Sequence, residues 1–279
     1  MRQISIRDRL PHDAAWATAC VMALFTLYDL SVGGFGYDCR AYWLAARDLQ
    51  YSLSPGQPNA YLYSPAFAQA LSPLGHLPFP VFATLMSCAA AAGIWWLLSP
   101  LSIRLRIPIL IACSYEITSG NVFWALAVAA VLGHRFAGAW VIPALTKITP
   151  CLGPIWFAAR GEWRRLAIFC ICLAIVVGAS VAANPDAWSD WVSFLSNNSQ
   201  GGYTGALPVP LEVRVSAAAV ITVVAARTDR VWLLPVCMTM ATPVFAFAAL
   251  TMLCAIPRLR AMEQAHDRGP AQPSGADRT

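Results

Sequence analysis

The sequence predicts an all-α fold, a polytopic helical membrane protein. Three observations carry the prediction. Of 279 residues, 58% are hydrophobic and only 12% are charged, against roughly 25% charged in soluble domains. Mean hydropathy is +0.57. The basic residues are 18 arginines and one lysine, Lys147. They form no single patch but punctuate the apolar runs at Arg104/Arg106, Arg135, Arg160/Arg164/Arg165, Arg227/Arg230 and Arg258/Arg260. That is the pattern of short cytoplasmic loops between membrane segments. A soluble domain, a disordered chain and a nucleic-acid binder all fit this composition poorly.

The elements follow in order. Residues 1–13 form a polar amino terminus on the cytoplasmic side, and 14–33 read as the first span. Residues 35–78 form a long outer loop. Within it, GYDCRAYWLAARDL (36–49) has an amphipathic helical pattern with interfacial Tyr42 and Trp43. A Pro/Gly/Asn turn follows at 54–59. Ser64-Pro65 then signals a second helix, with Ser as N-cap and Pro at the first helical position. About 12 residues is too short for a span, which needs about 20, so this helix is expected to lie along the membrane surface. Residues 79–98 make the next span.

Three later segments share one plan. Residues 107–134, 136–159 and 231–256 are apolar, have basic residues beside both ends, and are broken in the middle. The breaks are Thr118-Ser119-Gly120-Asn121, Lys147-Ile148-Thr149-Pro150 and Thr242-Pro243. If the basic ends are cytoplasmic, each segment enters and returns. Arms of about 11–14 residues reach roughly 16–21 Å at 1.5 Å per residue, short of a hydrocarbon core of about 30 Å. The tips then sit at membrane depth, where non-helical backbone is tolerated only inside protein or beside a wet cavity. Tilted full spans are the other reading. Residues 166–183 span outward, 184–208 form a second outer loop, and 209–226 return. The chain thus divides into the amino terminus, one membrane domain over 14–256, and a polar tail at 257–279 expected to be disordered. Fifteen basic residues fall inside, while Arg40, Arg47 and Arg214 fall at the outer side, which sets the orientation. The nine cysteines and four histidines show no ligand spacing, so no metal site and no cofactor are expected.

Few residues can carry chemistry. Asp38 stands just after the first span, either as a general base at the outer surface or as the N-cap of its helix. Lys147 lies inside an apolar segment, which makes it a functional candidate; it would hold an anionic phosphate or pair with Glu116 at the neighbouring tip. Asn121 would cap the second arm of its hairpin or touch substrate. Tyr61 and Tyr63 would be interfacial anchors or a sugar-stacking surface.

In order and spacing these residues resemble the polyprenol-phosphate-sugar-dependent glycosyltransferases of the GT-C class, in particular glycosyltransferase family 87, which includes mannosyltransferases and arabinofuranosyltransferases. Asp38, Tyr42 and Ala45 match a D-x-x-x-Y-x-x-A pattern after the first span. Tyr61-Leu62-Tyr63-Ser64-Pro65 is similar to a Y-x-Y-x-P element, Gly120-Asn121 to a Gly-Asn pair, and Lys147-Ile148-Thr149-Pro150 to a K-x-x-P element. Asn197, Asn198, Ser199 and Gln200 loosely echo an outer Asn-Gln-Ser segment. The resemblance implies a GT-C-like fold with broken or short membrane helices and interfacial helices in the first outer loop. It also implies an enzyme of the plasma membrane that moves a mannose- or pentose-type sugar from a polyprenyl-phosphate donor to a lipid or glycan acceptor, with inversion. Asp38 would be the base, and Lys147 and Arg40 would hold the donor phosphate. Tyr42, Tyr61, Tyr63, Glu116, Asn121 and Asn197 would contact substrate. The partners would be the donor, the acceptor and membrane lipid, with no nucleic acid. A lipid or solute transporter, which also builds sites from broken helices, and an inactive scaffold of the same fold are the alternatives.

Overall fold

The computed structural model describes residues 6–198 and 208–267, and among them the ordered elements are helical, with no β-strand. The first helix, α1 (Ile6–Ser31), starts earlier than the apolar pattern suggested and carries Pro11 inside it. Two short helices follow in the outer loop, α2 (Tyr37–Arg47) and α3 (Pro65–Gly75), and they pack on each other. The second span is α4 (Phe79–Leu97).

The first broken hairpin enters as α5 (Ile103–Ala112) and α6 (Ser114–Ser119), turns at Gly120, and returns as α7 (Phe123–Leu132). Only Cys113 separates α5 from α6, so the inbound arm is longer than the expected 11–14 residues. The second hairpin has a 3-10 turn, Ala137–Trp140, then α8 (Val141–Thr146), a non-helical break at Lys147, and α9 (Gly153–Arg160). The third span is α10 (Trp163–Ala183).

The segment read as the second outer loop contains a helix not assigned from the sequence: α11 covers Pro185–Asn198. Asn184 accepts the N–H of Ala187 through its side chain at 3.1 Å, and Pro185 occupies the first helical position. The return helix is α12 (Leu211–Arg227). The third hairpin runs through a 3-10 turn, Val231–Leu233, into α13 (Leu234–Met240), breaks, and returns as a 3-10 segment, Phe247–Ala255. A 3-10 helix rises about 2.0 Å per residue, so this arm spans more depth than an α-helix of equal length. The last helix, α14 (Ile256–Asp267), corrects the expectation of a disordered tail over its first part; the rest of the tail lies outside the described residues.

Three helices are long and apolar enough to cross a membrane, over Pro11–Ser31, Phe79–Leu97 and Trp163–Ala183. Their outward faces stay apolar and exposed, with Val21, Leu24 and Leu27 on α1 and Ile171 and Ile175 on α10. In lipid that exposure needs no cover. The broken hairpins supply the interior: α7 packs on the Phe247–Ala255 arm, α9 on α12, and α13 on both α12 and that arm. Phe123, Leu126, Trp140, Phe157, Leu234 and Met238 are fully buried there.

Breaking a helix inside a bilayer frees carbonyls that need donors. In the third hairpin Arg214 on α12 provides them. Its guanidinium donates to the carbonyls of Met240 at 3.0 Å, Thr242 at 2.7 Å and Pro243 at 3.3 Å, and its Nε donates to Val209 at 3.1 Å. A planar five-donor fork suits a cluster of carbonyls at a helix C-terminus.

Candidate functional site

The site forms where the outer loop meets the first two hairpin tips. Two contacts fix α2 over the Gly120 turn. The N–H of Gly36, the N-cap of α2, donates to the carbonyl of Thr118 at 2.8 Å. Gly36 has φ +72, and a Cβ there would stand 2.7 Å from the Phe79 ring and 3.1 Å from Ala83. Gly120 also has φ +72, and its Cβ would meet the Cβ of Cys39 at 2.7 Å. Both positions combine a left-handed backbone with a close approach, so only glycine fits. Thr26 on α1 closes the arrangement from behind by hydrogen-bonding the Ser114 hydroxyl at 2.8 Å.

This packing brings together two residues that lie 83 apart in sequence. Asn121 donates through Nδ2 to Oδ2 of Asp38 at 3.0 Å, while its Oδ1 accepts the N–H of Val122 at 2.7 Å. The amide is thereby fixed in orientation and commits one carboxylate oxygen of Asp38. Asp38 is half-buried, stands in the first turn of α2, and is not its cap. The N-cap reading of Asp38 is therefore corrected. Burial pushes its carboxyl above the ordinary aspartate range; the charge of Lys147 and hydrogen bonding from Asn121 and Ser119 partly oppose this.

Lys147 leaves the end of α8 in extended backbone. Its ammonium sits over two rings, 4.2 Å from the centroid of Phe123 and 5.2 Å from that of Tyr63, a cation–π seat. Among the described residues no carboxylate lies within ion-pair distance of it, so, of the two readings of Lys147, the pair with Glu116 does not form. Glu116 is buried and turned instead to the start of α7, where Oε1 accepts the N–H of Trp124 at 3.0 Å. An acidic group at a helix N-terminus is favourable. Its other oxygen has no hydrogen-bond partner among the described residues.

The tyrosines are buried side chains rather than interfacial anchors. Tyr42, Tyr61 and Tyr63 are 2%, 4% and 9% exposed. Tyr42 and Tyr63 share a hydrogen bond of 3.0 Å between hydroxyls. Tyr61 donates to the carbonyl of Ser64 at 2.8 Å. Edge-on contacts link Tyr42, Tyr63 and Phe67 with centroids 5.3–5.6 Å apart. Ser64 occupies the N-cap position of α3 as expected, but its hydroxyl donates to Leu145 at 2.6 Å instead of capping. That bond ties the outer loop to the second hairpin two residues before Lys147.

Arg40 is exposed, with its guanidinium 5.4 Å from the Phe79 ring centroid. Asn197 is exposed near the end of α11, beside Tyr51 and Asp190 and apart from Asp38 and Lys147. The other two members of its motif, Ser199 and Gln200, lie outside the described residues. Ser119, named in the sequence only as part of the polar break, hydrogen-bonds Asp38; Thr26 and Cys39, which brace the Gly120 hairpin, carry no sequence signal of their own beyond Gly120 beside that break.

Chemically, the site offers one carboxylate, hydrogen-bonded by Asn121 and Ser119, and one cation without a carboxylate partner among the described residues, carried on different elements. A carboxylate can take a proton from a hydroxyl, and a lysine can hold a phosphate. Gly120→Ala should remove this arrangement. The left-handed backbone and the 2.7 Å approach to Cys39 together predict a loss of about 2–5 kcal/mol, read as a lower midpoint of thermal unfolding in detergent. An unchanged midpoint would show that the turn tolerates a side chain and does not clamp Asp38.

Neither a curated protein nor a solved structure matches the chain. The model of glycosyltransferase family 87 matches residues 61–266, a stretch that holds Tyr61, Tyr63, Glu116, Asn121, Lys147 and Asn197 and begins after Asp38. With three spans, broken hairpins and a match over most of its length, the chain belongs to glycosyltransferase family 87.

Proposed function

We propose that this glycosyltransferase takes its sugar, of the mannose or pentose type, from a polyprenyl-phosphate donor and passes it to a lipid or glycan acceptor at the outer face of the plasma membrane. The observation that carries this reading is the juxtaposition of Asp38, oriented by Asn121, with Lys147, whose ammonium rests on the rings of Phe123 and Tyr63. Family membership favours transfer over transport. A phosphate-linked sugar already carries a good leaving group, so a base and a fixed cation suffice for the transfer.

The step is a single displacement. The acceptor oxygen attacks the anomeric carbon and the bond to the phosphate oxygen breaks. The acceptor proton passes to the carboxylate of Asp38, and the polyprenyl phosphate leaves with the bond's electron pair, held by Lys147 and Arg40. One displacement inverts the anomeric centre. Tyr42, Tyr63 and Tyr61 wall the sugar site from behind, and Glu116 fixes the start of α7, which carries Phe123 beneath Lys147.

The pH profile tests this. A base must be ionised, and burial raises the carboxyl of Asp38 above its ordinary value. Transfer should therefore fall on the acid side through an apparent pKa above the usual aspartate range. A profile flat down to the ordinary aspartate pKa would remove Asp38 as the base.

The same proposal fixes an orientation, with both termini inside. Cysteines introduced at positions 59 and 198, in a background stripped of the native cysteines, should react with an impermeant thiol reagent from outside, and one at 135 should not. Outside labelling at 135 would invert the hairpins.

A further inference from the structure

The outer surface holds a second recess, away from Asp38 and Lys147. It lies between the residues that follow α2 and the face of α11, has a volume of about 430 Å³, and is lined by Gln50, Tyr51, Asp190, Ser193, Phe194 and Asn197, among others. That volume falls within the range of about 300–1,000 Å³ of small-molecule sites. We propose that this recess is an acceptor subsite for a neutral oligosaccharide, holding sugar units remote from the reacting hydroxyl; the inference rests on the transfer reaction proposed above.

Three observations support it. The first is the composition of the walls. The floor is aromatic, with Tyr51 and Phe194 at 5.6 Å between centroids and tilted by 37°, which offers ring surface to the apolar face of a sugar. Around it stand carboxamides and hydroxyls that both donate and accept. Gln50 is tied to Asp48 at 2.6 Å and Asn198 to the Phe194 carbonyl at 2.9 Å, while the side chain of Asn197 has no hydrogen bond among the described residues.

The second is charge. Asp190 is the only charged residue in the lining among the described residues. A carboxylate without a cation beside it repels a phosphate, so the recess suits neither the donor head nor a free sugar phosphate. It accepts well from vicinal hydroxyls, since hydrogen bonds to a charged acceptor are the strong ones.

The third is position and rigidity. The α11 wall is pinned to the site's own segment by Trp191, which donates to the Leu62 carbonyl at 3.4 Å, and to α10 by Trp188, which donates to the Ser180 hydroxyl at 2.9 Å. Tyr51 donates to the Tyr63 carbonyl at 2.8 Å. Its ring contacts Tyr61 at 5.9 Å, and Tyr61 contacts Tyr63 at 5.7 Å. Tyr63 is the ring beneath Lys147. Two ring contacts through the buried Tyr61 therefore couple the floor of the recess to the ring beneath the cation.

The test is direct binding to the full chain in lipid nanodiscs, read by saturation-transfer NMR. The probes are a monosaccharide, a trisaccharide and a hexasaccharide of mannose and of arabinose, with mannose 1-phosphate as the anionic control. The expected result is saturable binding of a neutral oligosaccharide, tighter than the monosaccharide. Asp190→Asn and Asn197→Ala should each weaken it about tenfold, the worth of one good hydrogen bond to a charged or fixed group. Asp38→Asn should leave it unchanged, so a failed base assignment and a failed subsite give different results. Absence of binding by every neutral oligosaccharide, equal binding in wild type and the Asp190 and Asn197 variants, or preference for mannose 1-phosphate would each overturn the proposal.

Discussion

Asp38→Asn should abolish most sugar transfer and leave the fold standing. Asparagine keeps the shape of the side chain, and its carbonyl oxygen can still accept the 3.0 Å hydrogen bond from Asn121 Nδ2. Because Gly36 caps α2 and Asp38 does not, no capping energy is lost. Removing a half-buried charge whose ionised form is disfavoured by burial costs little stability. The amide cannot take the acceptor's proton, so the rate should fall by roughly 10²–10⁴, the usual worth of a positioned base. Asp38→Glu should recover little, because the added methylene pushes the carboxylate out of the Asn121 hydrogen bond. Thermal unfolding and initial rates on the same preparations separate a chemical loss from a structural one. Near wild-type transfer in Asp38→Asn would end the base assignment.

Lys147→Met should be the second large loss, with a different signature. The ammonium is held by two rings and by no ion pair among the described residues. Methionine can fill the space over Phe123 and Tyr63 without stranding a bonded carboxylate. The unfolding midpoint should therefore change little, whereas transfer should fall by about 10²–10³, the range for removing one group that stabilises a developing charge. A second effect follows from electrostatics. Lys147 lowers the carboxyl of Asp38; without it that carboxyl binds its proton more tightly, and the acid limb of the remaining activity should move to higher pH. A variant that unfolds, or that keeps both its rate and its acid limb, would return Lys147 to a structural role.

How far the sequence carried the account depends on the residue. The hairpin breaks were legible because polar, Gly and Pro residues inside apolar runs are costly in a membrane unless the backbone turns there. Gly120 and Lys147 mark two of those turns. The short helices of the first outer loop were legible from amphipathic spacing and from Ser64-Pro65. The helix α11 was missed although Asn184-Pro185 carries the same cap-and-proline signature; a run rich in Asn, Trp and Ser looked like loop. The Asp38–Asn121 contact could not be read from local pattern, since it depends on how α2 sits on the Gly120 turn. Tyr61 and Tyr63 illustrate a second limit. Tyrosine suits both an interface and a core with a hydrogen-bond partner, and only packing placed them inside. Arg214 was expected at the outer edge, and its binding of the carbonyls at the third break follows from tertiary structure alone.

The most direct test of the central claim is transfer itself. The purified full chain, in proteoliposomes, is given polyprenyl phosphates labelled with mannose or arabinose, with the matching nucleotide sugars as separate donors. The account predicts a labelled glycolipid or glycan product from a polyprenyl-phosphate donor, with the anomeric configuration inverted, none from the nucleotide sugars, and almost none with Asp38→Asn. Transfer from a nucleotide sugar, retention of configuration, or no transfer from any lipid-phosphate donor would contradict it.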